Sequence, residues 1–410
     1  MKLFKKAITA LAVLSLVGGA IPVSVSAATY DPCDVNHDGS VDILDVTSIN
    51  RYLSGQKTVL QYNQLDANQD LIVDATDADC VMAKVTKLSY TASFYSRKNN
   101  KEIAFPEIPS TPTLNGVSGS NTFRSYKKYI YELDTAVDYV LRPNVESVNK
   151  SNSDVDVYTV GDTDERKQAK GLNENTGLVC LENNKGDKVT GFIVDDHVIA
   201  TAAHCVYSAA KSCFYDNLKI TTYNESGELT TKTLNAVEAH IPEEYINLQK
   251  DSELATEYDY ALITVSDELP EKEYTHFKLG TVYNRTAYNF ANTPIYLTGC
   301  PDKIKNTSGK FEDNTEDILY TDEGNIIDVK DAAVKDKLLL FSNVDASGGQ
   351  SGSPMYTIVR SKTGNNNKKD TYVVLGIYSY GWNLSEQYNA GSLITNYQLQ
   401  FYNSNPNISY

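Results

Sequence analysis

Three short strings hold residue types that together could carry out acyl transfer: Thr201-Ala-Ala-His204-Cys205, Glu257-Tyr-Asp259-Tyr-Ala261-Leu262 and Gly348-Gly-Gln-Ser351-Gly-Ser-Pro354. A serine hydroxyl is a weak nucleophile at neutral pH. It needs an imidazole to take its proton and a carboxylate to hold that imidazole in the right tautomer. Taken singly, each string has a plainer reading: a core or turn histidine, a capping aspartate, a glycine-rich turn. Taken together they supply nucleophile, base and orienting acid. Each also sits beside a β-type segment: His197-Val-Ile-Ala before His204, Ala261-Leu-Ile-Thr-Val after Asp259, Met355-Tyr-Thr-Ile-Val after Ser351. Gly349 lets successive backbone N–H groups point into one concavity, where an oxyanion could be held.

The order His, Asp, Ser, at offsets of 55 and then 92 positions, resembles the chymotrypsin-like serine proteases. The resemblance implies His204 as general base and then acid, Asp259 as its orienting carboxylate and Ser351 as nucleophile. The Gly349 and Ser351 N–H groups would form the oxyanion hole. Gly-Gly-Gln-Ser-Gly-Ser-Pro, and Ile295-Tyr-Leu-Thr-Gly-Cys300-Pro-Asp-Lys303, are similar to the glutamyl-endopeptidase branch of secreted bacterial enzymes. Val160-Gly161-Asp162-Thr-Asp164-Glu-Arg166 resembles that branch's start of the catalytic domain, so the resemblance covers about residues 158–410.

Two positions bear on specificity. The branch reads Gly-Ile-His beside the primary pocket, with the His binding the substrate glutamate; here Gly376-Ile377-Tyr378 stands instead. A phenol donates a hydrogen bond but carries no positive charge, which argues against exclusive glutamate preference. Asp345, six residues before Ser351, matches the basic-specificity Asp of trypsins; a structural Asp in the turn is the equal alternative. Gln350 stands where animal trypsins carry the Asp that pairs with the freed N-terminus, so that latch is absent.

The catalytic strings occupy the last 210 residues, and a different pattern fills the first 90. Residues 34–45 place side-chain oxygens at Asp34, Asn36, Asp38, Asp42 and Asp45, with Gly39 at the sixth position and Ser40 offering its carbonyl at the seventh. This is the ligand spacing of an EF-hand-type calcium loop, with Asp in place of Glu at the twelfth position. The pattern returns 32 residues later as Asp66, Asn68, Asp70, Ile72 (carbonyl), Asp74 and Asp77, with Leu71 at the sixth position. A branched residue at positive φ costs roughly 1–2 kcal/mol, so two unequal sites are expected. Helical spacing of Val46, Ile49 and Leu53, and of Val81, Val85 and Leu88, follows each loop. Two loop–helix repeats without entering helices closely resemble a dockerin module. That implies calcium as the bound ion and a cohesin module on a scaffoldin as partner. The pairs read by cohesins would be Ile43-Leu44 and Ala75-Thr76; the first differs from the second. An ordinary calcium sensor gating the protease is an alternative.

The wider chain fits a secreted, modular protein. Residues 1–27 read as a signal peptide: a basic start, an apolar run from Ala7 to Val17 and Val25-Ser26-Ala27 at the cut. Residues 28–90 form the dockerin and 91–157 a linker with a possible pro-segment helix at Phe123, Tyr126, Ile130, Leu133, Val137 and Leu141. Residues 158–410 form the protease. The expected fold is therefore multidomain: a small α-helical dockerin plus an all-β double β-barrel. A net charge of −16 disfavours nucleic acid and anionic membranes. Six cysteines suit an oxidising compartment; Cys33 and Cys80 could clasp the dockerin's ends, and Cys205 pairs with Cys180 or Cys213 or stays free. No cofactor is expected for catalysis. The reading is a secreted serine endopeptidase tethered to a cohesin-bearing scaffold and acting on protein or peptide substrates. The alternative is a catalytically silent binding module of the same fold.

Overall fold

The computed structural model describes residues 31–55, 60, 62–87, 90–105, 124–133, 135–141, 157–158, 164–247, 256–280, 293–306, 310–330, 339–363, 367–381, 389–394 and 396–403. The signal-peptide expectation and most of the expected start of the catalytic domain lie outside them.

Two eleven-residue helices, Ile43–Leu53 and Ala75–Val85, follow the two acidic loops. Each starts at a capping box: Asp42 with Asp45, and Asp74 with Asp77, satisfy the orphan amides of the first turn reciprocally. Val46, Ile49, Val81 and Leu65 bury the facing sides of this pair in a small core of their own.

The rest is β structure. In one sheet the strands Pro354–Thr363, Asn367–Gly381, Asn389–Leu393, Leu339–Ser342, Tyr320–Lys330 and Pro294–Gly299 pair in turn, and the last pairs back with the first, closing a six-stranded barrel. The other sheet has nine strands and runs through Lys219–Tyr223, Leu178–Glu182, Lys188–Asp195, Val198–Thr201, Ala261–Val265 and Ala236–Pro242. Among the described residues its path runs from Leu229–Leu234 at one end to Thr135–Leu141 at the other. Near-continuous apolar strands such as Ala261–Val265, buried at every position, pack one large core between the sheets.

The middle of the chain departs from the sequence expectation. Arg124–Ile130 and Thr135–Leu141 form a β-hairpin that extends the nine-stranded sheet along Ala236–Pro242, in place of the expected pro-segment helix. The segment is rich in Tyr, Val, Ile and Thr, which favour a pleated surface, and a neighbouring strand edge decides between helix and strand. Likewise Tyr90–Ser96 and Lys101–Ala104, read as linker, form a hairpin on Pro354–Thr363. Arg97 at its tip forks onto the fully buried Glu174, which also accepts from the Tyr356 hydroxyl at 2.8 Å. This hairpin is thus part of the larger β body.

The second acidic loop also reaches that body. Leu71 and Ile72 are buried with Val373 and Leu375 of the barrel and Phe94 of the Tyr90–Ser96 hairpin strand, and Asn68 Nδ2 donates to the Tyr90 hydroxyl at 3.0 Å. Leu71 does adopt φ +82°. Burying a leucine stabilises by about 1.5–3 kcal/mol, enough to offset the backbone strain that the sequence alone exposed.

Candidate active site

The nine-stranded sheet brings His204 and Asp259 together by register. Ala261 pairs with Thr201 in antiparallel strands, so the chain leaving one strand and the chain entering the other face each other at residues 203 and 259. His204 sits in the 3-10 turn Ala203–Cys205, and Asp259 follows the turn Thr256–Tyr258. Asp259 Oδ2 accepts from His204 Nδ1 at 2.7 Å, and Oδ1 accepts from the His204 backbone N–H at 2.9 Å. Two bonds to one carboxylate fix the ring's rotation and place its proton on Nδ1, leaving Nε2 as the base. Burial opposes the imidazolium, but the Asp259 charge and hydrogen bond outweigh it, so the His204 pKa lies well above its ordinary value.

Ser351 arrives from the barrel. Strand Ala346–Ser347 leads into a turn in which Gly349 and Gly352 take φ +83° and +80°. A Cβ on Gly349 would meet Cys300 O at 2.5 Å and Asp302 Oδ1 at 2.6 Å, so the turn excludes any other residue. The turn is tied across the sheets: Thr190 N donates to Ser351 O at 2.9 Å, and a Cβ on Gly352 would collide with Thr201. Ser351 therefore lies beside the strand end that carries His204. Its hydroxyl is 3.5 Å from Ser379 O and, among the described residues, makes no hydrogen bond with His204. Such bonds commonly tighten only when substrate arrives. The Gly349 and Ser351 N–H groups have no acceptor among the described residues, as donors awaiting an oxyanion require.

The two expected pocket residues are buried. Asp345 Oδ2 accepts from Glu165 N at 2.6 Å, and its own N–H donates to Asp322 Oδ2 at 2.8 Å. That is the bonding of a turn-fixing aspartate. Tyr378 lies 1% exposed in the barrel core, while its backbone brackets the serine turn through Gly352 N and Ser353 O.

The acidic loops share one backbone form. Positive φ recurs at their fourth and sixth positions, His37 with Gly39 and Gln69 with Leu71. Asp34 Oδ2 accepts from Gly39 N, and Asp66 Oδ2 from Leu71 N, each at 3.0 Å. The twelfth-position Asp45 and Asp77 accept from Asn36 and Asn68 N–H in the same way. Among the described residues no three acidic, His or Cys side chains are gathered into a closed metal shell; the carboxylates turn to loop amides. The donor set nevertheless fits calcium: hard oxygens only, from one tight loop. In the second loop, burial and then the Asp66 charge push the Asp70 and Asp77 carboxyls well above the carboxylate range, a repulsion that a divalent cation relieves.

No disulfide is formed among the six cysteines. Cys33 and Cys80 lie side by side with Sγ atoms 3.8 Å apart, and Cys205 is a free buried thiol. One contact had no sequence signal: Arg166, read only as part of the string that opens the catalytic-domain resemblance, reaches Gln350 beside Ser351 with its guanidinium from 184 positions away.

A family model described as a dockerin type I domain matches residues 32–86, and one described as a trypsin-like peptidase domain matches residues 189–360. No curated protein matches the chain. Among solved structures, a Glu endopeptidase in complex with MPD is similar at 20% identity, over 60% of this chain and 97% of that one, with TM-score 0.45. A scabies mite inactivated protease paralogue is similar at 14% identity, over 58% of this chain and 98% of that one, with TM-score 0.40. The chain thus carries a type I dockerin domain followed by a β-rich, trypsin-like peptidase domain.

Proposed function

We propose that this protein is a serine endopeptidase held on a cellulosome-like scaffold by its dockerin. The observation that carries the reading is the doubly bonded His204–Asp259 pair set beside the glycine-formed Ser351 turn. In the reaction, His204 Nε2 takes the Ser351 proton as Oγ attacks the scissile carbonyl. Asp259 stabilises the imidazolium without itself becoming protonated. The Gly349 and Ser351 N–H groups receive the charge that develops on the carbonyl oxygen. His204 then protonates the leaving amine, and water, activated by the same imidazole, releases the acyl group from Ser351. Asp345 shapes the turn that leads to Ser351, and Tyr378 in place of a histidine brings no positive charge beside it.

Asp34, Asn36, Asp38, Ser40, Asp42 and Asp45 would hold one calcium ion, and Asp66, Asn68, Asp70, Ile72, Asp74 and Asp77 a second. Bound calcium would draw each loop's carboxylates off the amides and fix the start of the helix that follows. Cohesin would be met by Ile43 and Leu44, 56% and 54% exposed on the first helix. An extracellular, scaffold-attached location follows from that partner. No helix among the described residues is long and apolar enough to cross a membrane.

One observation favours a silent binding module: the Ser351 hydroxyl faces Ser379 O rather than His204. Incubating the chain from residue 28 and its Ser351→Ala variant, in calcium, with a diverse peptide library separates the readings. Internal cleavage by the parent alone is expected; no cleavage by either would leave a latent zymogen or the binding module, and trimming towards Val160 separates those two.

A further inference from the structure

A buried cation stands behind the oxyanion turn. Arg166 is 9% exposed, and all five of its guanidinium N–H groups are engaged. Nε and Nη2 fork onto Asp164 at 3.0 and 2.8 Å, and Nη2 also donates to Lys303 O at 3.1 Å. Nη1 donates to Ser347 Oγ at 2.7 Å and to Gln350 Oε1 at 3.1 Å. Asp164 neutralises the guanidinium, so the interior holds a paired charge with every donor satisfied, the condition under which such a charge is tolerated.

Gln350 is the residue between the two oxyanion donors. Its side chain curls back so that Oε1 accepts both from Arg166 and from Ser347 N at 3.0 Å. Two donors on one oxygen settle the orientation of the amide. This clamp sets the peptide plane between Gln350 and Ser351, which aims the Ser351 N–H group; the Gly349 N–H lies in the plane that carries Gly348 O. Asp302 N donates to Gly348 O at 2.6 Å and completes the stitching of the turn to residues 302–303.

We infer that Arg166 is a positioning residue for the oxyanion hole, an internal cation in the place that trypsins give to a freed N-terminus. The intact chain is therefore competent without cleavage ahead of residue 166. The upstream chain is itself zipped to the nucleophile's approach: Tyr158 pairs with Ala346 and Val157 with Ser347. Cutting there adds nothing that Arg166 does not already supply. The inference rests on the peptidase reading.

The test uses the chain from residue 28 in calcium, with a peptide substrate taken from the library and a peptide boronate that forms a tetrahedral adduct. Intact mass is followed throughout. The parent is expected to turn over at full length. Arg166→Ala is expected to lose kcat by ~10²–10³ and boronate affinity in parallel, with KM little changed. Arg166→Lys is expected to lose less. Gln350→Leu, which fills the same space and leaves the Arg166–Asp164 pair intact, is expected to show the same split and guards against an unfolded Arg166→Ala. Parental kcat in both Arg166→Ala and Gln350→Leu overturns the positioning role. Turnover that begins only after residues ahead of 166 are lost overturns the competence of the intact chain. A parent inactive both intact and trimmed contradicts the peptidase reading, and the inference with it.

Discussion

At the residue scale the decisive pair is His204 and Asp259. The Asp259 charge and its hydrogen bond to Nδ1 raise the imidazole pKa against burial, and the sign of two effects follows. The base is useful only when neutral, so activity rises with pH through a midpoint above the ordinary histidine value of about 6.5. The pair's contribution to stability runs the other way: it is complete below the unfolded histidine's pKa and is lost as pH rises through the folded one. A kcat/KM profile over pH checks this; an acid limb centred at or below about 6.5 would contradict it. Asp259→Asn should cost about 10⁴ in kcat by imposing the wrong tautomer, with the fold retained by circular dichroism. At the pocket, Tyr378 in place of a histidine predicts cleavage after more than one residue type, and a library product set made only after Glu would refute that. The strings that hold His204, Asp259 and Ser351 were legible because each is short and local. The tie of Arg166 to the serine turn was not: its string marked only where the resemblance begins, and its partners Ser347 and Gln350 lie more than 180 positions away.

At the element scale, what was legible is what local physics decides. The acidic loops and their helices follow from ligand spacing and capping boxes, and the apolar strands from their composition. The segment from residue 124 to 141 was misread because apolar residues at helical spacing were weighed without the strand edge that the folded sheet offers them. That edge is more than 90 positions away in sequence, and pairing across such a distance leaves no local trace. Leu71 makes the same point with a measurable consequence. In an exposed loop, glycine at φ +82° would stabilise by relieving strain. Here Leu71→Gly also removes a side chain buried against the barrel, and the burial is the larger of the two. The full chain should therefore lose about 1 kcal/mol, read as a lower urea midpoint at unchanged m-value; a higher midpoint would show that the barrel contact contributes nothing.

At the scale of the whole molecule, the two dockerin repeats are not equivalent. The first presents Ile43 and Leu44 to solvent, while the second has its loop seated on the protease and Thr76 bonded to Asp74 and Asn68. Calcium titration should resolve two unequal sites. Replacing Ile43 and Leu44 together by Asp should cost at least about 2 kcal/mol of cohesin binding, and replacing Ala75 and Thr76 far less; equal losses would mean that both faces serve. The central claim, however, is a nucleophile activated by its neighbours, and the most direct measurement is of that bond. The chain from residue 28 is treated with a fluorophosphonate and digested, and the adduct is located by mass spectrometry. The account predicts one adduct, on Ser351, formed by the parent and lost in His204→Ala. No adduct on Ser351, or labelling that persists without His204, would contradict it.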